Sequence, residues 1–169
     1  MSYSNAWYVL YVKSRFEKKV ADSLEEISLK SFLPLVRTVR RWSDRKKTIM
    51  QPLFPSYVFV NVNSQNEFHR ALSVNGACGY IRFGVEYAQV SDKEIKQIKY
   101  LVGDKNIIDI EANVDVPEVG EVKKIMNGPL RGLECKVLEA ENLNKIIVRI
   151  DSLQQNIKAT VPSYVFSPC

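Results

Sequence analysis

Six cations crowd residues 37–47, namely Arg37, Arg40, Arg41, Arg45, Lys46 and Lys47, against a single acid, Asp44, with Trp42 among them. Cations at that density can hold phosphates, and the indole can stack on a base. The same pattern also serves a solvated hairpin tip, with Trp42 packed beneath it, and the residues alone leave both readings open. Other chemistry-bearing groups are sparse. His69 is the one histidine; a lone imidazole with no second ligand nearby makes no metal site, and no serine or cysteine is placed to use it as a base. It reads as a surface residue beside Arg70, within reach of nucleic acid. Cys78, Cys135 and Cys169 are odd in number, widely spaced and form no C-x-x-C pair, which speaks against structural disulfides and against zinc. The turn at residues 127–132 is glycine-rich, but no lysine-serine follows it, so it is not a phosphate-binding loop. An enzyme is not expected, and neither is a cofactor.

The elements that would carry these groups are organised around residues 52–62. Strand side chains alternate faces, so Tyr57 and Phe59 fall on one side and Val58, Val60 and Val62 on the other. Both faces are apolar, which suits a strand in the middle of a sheet with helices on one face and another element or a partner on the other. Tyr57 and Phe59 are therefore either interface anchors or plain core. Residues 6–12 form an apolar run read as a second central strand. Ser14 and Glu17 have capping-box spacing before a helix to about residue 30, whose stripe of Phe16, Val20, Leu24 and Ile27 reads as core. A strand at 32–40 and a return strand at 48–51 flank the basic tip. Ser64 and Glu67 open a second capped helix over 67–74, ended by Asn75 and Gly76. A strand at 78–83 follows, and Ser91 to Glu94 opens a helix with Ile95, Ile98 and Leu101 on one side.

With 169 residues and 46% hydrophobic composition, the chain can build one ordinary domain or two small ones. Charge divides it: residues 1–100 carry net +7 and residues 101–169 net −2. The basic part suits a polyanion and the near-neutral part a protein. Residues 101–121 hold six acids and one lysine, Lys105, and read as a solvated linker. Beyond it, five short strands are expected at 119–126, 133–139, 145–151, 156–161 and 164–166, as in a small closed barrel. There is no run of 18 apolar residues, and the first five residues lack a signal-peptide layout, so a cytoplasmic protein is expected.

The pieces Ala6-Trp7-Tyr8-Val9, Phe54-Pro55-Ser56-Tyr57-Val58-Phe59-Val60, Gly79-Tyr80-Ile81-Arg82-Phe83 and Val90-Ser91-Asp92-Lys93-Glu94-Ile95, then Gly120-Glu121-Val122 and Gly128-Pro129-Leu130-Arg131-Gly132-Leu133, together resemble the NusG family of transcription elongation factors. The resemblance implies an α+β fold. An NGN domain with a mostly antiparallel sheet covered by helices (residues 1–102) is joined by an acidic linker (103–116) to a five-stranded SH3-like KOW barrel (117–169). It implies a non-enzymatic factor, expected as a monomer, that binds the clamp helices of the largest RNA polymerase subunit and suppresses pausing and termination. The family's docking surface carries over to Tyr57 and Phe59, and further to Tyr80, Ile95 and Ile98. In specialised members such as RfaH, a basic face reads the non-template DNA strand. By region, that face corresponds here to His69, Arg70 and Asn75 with the hairpin of Arg37, Arg40, Arg41, Trp42, Arg45, Lys46 and Lys47.

The wording of residues 52–60 and of Arg82-Phe83-Gly84 is similar to the specialised UpxY and RfaH type that serve single operons, capsular polysaccharide operons among them. Housekeeping NusG acting with Rho is the rival, and an RNA-binding ribosome accessory protein a second one, disfavoured by the acidic C-terminal part. The KOW barrel of the family implies a small-subunit ribosomal protein or Rho as partner. In RfaH that barrel can refold to helices. Here Val137, Ile146, Ile147, Val148, Ile150, Ile157 and Val161 favour strands, so a stable barrel is expected.

Overall fold

The computed structural model describes residues 5–115, 120–140 and 143–166. Cys169, the first four residues, and residues 116–119 at the expected end of the linker and start of the barrel lie outside the described residues. The backbone divides into two compact units, Met1–Asp92 and Lys93–Cys169.

The first unit runs β1 (Ala6–Val12), α1 (Glu17–Glu26), β2 (Ser31–Phe32), β3 (Leu35–Arg41), β4 (Lys46–Pro52), β5 (Tyr57–Val62), α2 (Gln65–Leu72), β6 (Ala77–Tyr80), β7 (Arg82–Phe83), β8 (Glu86–Tyr87) and β9 (Gln89–Val90). Its sheet is antiparallel in the order β2-β5-β1-β6, with β9 pairing to the other half of the β1 edge that β6 uses. The apolar run of β1 is central, as its composition requires. Its register with β5 sets Tyr8 opposite Val60 and Leu10 opposite Val58, and on the reverse face Val9 opposite Phe59 and Tyr11 opposite Tyr57. The valine face is the main core. Tyr8, Leu10, Val12, Val58, Val60 and Val62 meet Val20 and Leu24 of α1 and Phe68 and Ala71 of α2, each aliphatic side chain contributing on the order of 2 kcal/mol.

The expected strand at 32–40 is split. Pro34 has no N–H for a ladder, so β2 joins β5 while β3 leaves the sheet to form a separate two-stranded ribbon with β4. The expected strand at 78–83 is likewise split into β6 and β7, and β7 pairs with β8 in a hairpin of its own. Ser14 does not cap α1: the cap position is Phe16, with no side-chain hydrogen bond. The second box is realised at its serine, while its glutamate reaches one residue further back than the cap. Ser64 accepts from the Glu67 N–H at 3.2 Å, and the Glu67 carboxylate accepts from the Asn63 N–H at 2.8 Å. Gly76 sits at φ +103° where a Cβ would meet Phe16 Cδ1 at 2.6 Å, so only glycine lets α1 and the start of β6 come this close.

The second unit opens with α3 (Asp92–Gly103), whose Ile95, Ile98 and Leu101 are all buried. Then come β10 (Ile108–Ala112), β11 (Glu121–Lys124), β12 (Glu134–Ala140), β13 (Leu143–Ile150) and β14 (Gln155–Pro162). They form a five-stranded antiparallel sheet ordered β10-β14-β13-β12-β11 over a core that includes Ile125, Val137, Ile146, Val148, Ile150, Ile157 and Val161. The segment expected as a fifth strand at 164–166 is instead a single 3-10 turn, Ser163–Phe166. The fifth strand is β10, inside the acidic stretch read as linker. Its period is masked by Asp109, at φ +53° beside a register shift, and its acid Glu111 is neutralised by Lys158 Nζ at 3.3 Å. Cys135 is buried here, and burial pushes its thiol up to about 11. Among the described residues no helix is long and apolar enough to cross a membrane.

Candidate functional site

The second face of the first sheet carries Val9, Tyr11, Tyr57 and Phe59. Phe59 is fully buried at 0% exposure, its ring 5.8 Å from Phe32 and 5.9 Å from Phe54. Tyr57 is half-buried and stacks on Phe54 at 6.4 Å. Directly opposite Tyr57, Tyr11 is 48% exposed. The face is thus closed over Val9 and Phe59 and open at its tyrosine end. Tyr11 was not singled out from the sequence, because a run apolar on both sides does not say which end stays open. The exposed Tyr11 beside the half-buried Tyr57 puts two aromatic rings at that end, the usual make-up of an interface anchor.

Tyr80 does not join Tyr57 and Phe59. Its register partner is Leu10, which puts it on the helix-covered face, where it stacks on Phe68 at 4.0 Å and donates its hydroxyl to the Phe68 carbonyl at 2.7 Å. The alternation along residues 79–83 could not reveal this, because the facing of β6 is set by its pairing with β1. Ile95 and Ile98 are buried residues of the second unit.

The basic cluster is brought together on the β3–β4 ribbon. Arg37, Arg40, Arg41, Arg45, Lys46 and Lys47 are all exposed. Arg40 stands directly opposite Lys47 and Arg41 opposite Lys46, two like-charged pairs that repel each other across the ribbon. The turn is closed by the Trp42 N–H donating to the Arg45 carbonyl at 2.8 Å. The Arg45 guanidinium lies 5.6 Å over the Trp42 ring, which is itself 47% exposed. Trp42 is therefore an open platform.

His69 and Arg70 are exposed on α2, and Asn75 is exposed just beyond it. His69 sets its ring against the edge of Phe68 at 5.8 Å. Arg70 Nη2 donates to the Ile27 carbonyl at the end of α1 at 2.7 Å, while near the other end Lys18 Nζ reaches the Met50 carbonyl on β4 at 3.3 Å. Since α1 rises 1.5 Å per residue, the two anchor points are about 14 Å apart along its axis. One helix thus ties both basic groups to the same frame. Among the described residues no three His, Cys, Asp or Glu side chains gather to hold a metal ion.

The comparisons with known proteins meet this geometry. Residues 5–99 match the family described as "Transcription termination factor nusG". The chain is 23% identical over 171 residues to the transcription termination/antitermination protein NusG of Buchnera aphidicola subsp. Baizongia pistaciae (strain Bp), covering 95% of this chain and 88% of that protein. It also superposes on a solved structure of Thermotoga maritima NusG, titled for its domain interaction, with a TM-score of 0.56, 24% identity and 94% of each chain covered, a likeness of fold. The matched segment is more than half of the chain and takes in the whole sheet with both of its covering helices, so the chain belongs to the NusG family of transcription factors.

Proposed function

We propose that the chain is a non-enzymatic elongation and antitermination factor that docks on the clamp helices of the largest RNA polymerase subunit through the tyrosine end of β1 and β5. The observation that carries this reading is the exposed Tyr11 opposite the half-buried Tyr57, at the open end of a sheet face that is otherwise closed. Phe59 acts from beneath, as the packed floor that keeps the two tyrosines in place. Tyr80 supports α2 on the reverse face, and Ile95 and Ile98 serve as core, so none of the three is a contact residue in this proposal.

The β3–β4 ribbon holds the phosphates of the non-template strand, with Trp42 as a stacking platform and His69, Arg70 and Asn75 as a second contact group. Two cross-strand cation pairs and no acid but Asp44 support an anionic partner. For the second unit, Val122 is 67% exposed on β11, the end strand of the sheet, which supports a protein partner: a small-subunit ribosomal protein, with Rho as the competing outcome. The operon-specific role, rather than the housekeeping one, rests on the similarity of residues 52–60 and 82–84 to the specialised members.

The test is binding of the purified chain to RNA polymerase, beside a Tyr11→Ala/Tyr57→Ala variant whose folding is checked by circular dichroism. Truncating both anchors should weaken binding by about 2 kcal/mol or more. A folded variant that binds as well as the wild type removes the docking face from the proposal. In a termination assay, read-through on one template only supports the operon-specific role, and enhanced termination with Rho supports the housekeeping one.

A further inference from the structure

The docking strand begins from a tight turn held by a buried carboxylate that neither the tyrosine end nor the basic ribbon uses. The Tyr57 N–H donates to the Phe54 carbonyl at 3.1 Å, so Pro55 and Ser56 are the central residues of a β-turn. Ser56 sits at φ +66°, which with proline before it is the pattern of a type II turn, whose third position favours glycine or asparagine. A serine adopts that conformation only when its surroundings hold it there.

Both backbone groups of Ser56 are held. Its carbonyl accepts from the Val12 N–H at 2.8 Å on β1, and its N–H donates to Glu17 Oε1 at 3.0 Å. Glu17 is the first residue of α1 and only 7% exposed; its carboxylate also lies where the helix N-terminus favours negative charge. Without that acceptor, the half-buried Ser56 N–H would lose its partner. The cheapest relief would be rotation of the Pro55–Ser56 peptide to the type I turn, which returns Ser56 to negative φ. That rotation changes the direction in which the chain enters β5, and Tyr57 is the next residue.

We propose that Glu17 is a positioning residue for polymerase docking: by accepting the Ser56 N–H, it selects the type II turn and sets the orientation of Tyr57 opposite Tyr11. This rests on the docking reading above.

The experiment titrates immobilised core RNA polymerase with the full chain and its variants, and follows exchange of the Ser56 amide by NMR. Glu17→Ala should expose the Ser56 amide to faster exchange and weaken binding about tenfold, the loss expected for one hydrogen bond to a charged acceptor. Glu17→Gln keeps an acceptor oxygen and should stay within about threefold of the wild type. Adding Ser56→Gly to Glu17→Ala should restore binding, because glycine holds the positive φ without help. Val20→Ala opens a cavity on the reverse face and serves as a variant destabilised elsewhere, which should bind as the wild type does.

Unchanged binding by Glu17→Ala overturns the proposal, and so does failure of Ser56→Gly to restore it or an equal loss in Val20→Ala. A wild-type chain that does not bind polymerase overturns the docking reading itself and this inference with it, and is recognised before any variant is compared.

Discussion

Replacing Lys46 and Lys47 together by glutamine is expected to move two observables in opposite directions. Lys46 stands against Arg41 and Lys47 against Arg40 on an exposed ribbon. Two like charges about 5 Å apart in water repel by roughly 0.8 kcal/mol before salt screening. Measured cross-strand pairs fall in about the same range, so relieving both should stabilise the ribbon by about 1 kcal/mol. In a unit of this size that raises the melting temperature by a few degrees, on the order of 4 °C. Nucleic-acid binding should fall at the same time. Each cation withdrawn from a single-strand phosphate lowers the slope of log K against log salt by about 0.7, so two should lower it by about 1.4. The assay is fluorescence anisotropy of a labelled single-stranded oligonucleotide across a salt titration, with thermal melts in the same buffers. If the variant binds more weakly with an unchanged slope, or melts below the wild type, the reasoning is refuted and the cations serve the fold of the ribbon.

Gly76→Ala combines a left-handed backbone with a clash against Phe16, and should cost about 3 kcal/mol in denaturant unfolding. Thiol labelling followed by peptide mapping should find the exposed Cys78 reacting at neutral pH and the buried Cys135 protected in the folded chain. Because burial raises the Cys135 thiol from 9.0 to about 11, its contribution to stability is complete below pH 9 and is lost as pH rises through the folded value, which an alkaline unfolding titration of wild type against Cys135→Ala reads out. Of the two tryptophans, Trp7 is buried and Trp42 open; a single-stranded oligonucleotide should therefore shield the accessible tryptophan class from acrylamide quenching, and an unshielded Trp42 removes it as a stacking platform.

What could be read in the residues was whatever depends on local period. The alternation in β5 and the apolar run of β1 marked the two central strands, and the Phe16, Val20, Leu24, Ile27 stripe lies on the helix side of the core, with Val20 and Leu24 fully buried. What could not be read depends on partners distant in sequence. Glu17 has the spacing of a capping residue, yet its carboxylate goes to Ser56, 39 residues away, and spacing does not distinguish a local acceptor from a remote one. Tyr80 faces away from Tyr57 because of its register with Leu10, which only the assembled sheet sets. Within β10 the acids concealed a strand, since one of the two, Glu111, is paired with Lys158 from the neighbouring strand. At the candidate site the six cations were legible as a cluster, whereas the openness of Tyr11 depends on where the covering of the face ends.

The position of β10 also sets where the second unit can be cut for transplantation into another protein. A fragment starting at residue 117, where strand-forming composition resumes, would omit Ile108–Ala112 and bare the edge of β14 that β10 covers. Unpaired amides and carbonyls along an eight-residue strand are an open template for a like strand. Such a graft should pair with its own copies and elute as a dimer or larger species, while one beginning at residue 93, where the unit starts, carries its own edge cover and should elute as a monomer.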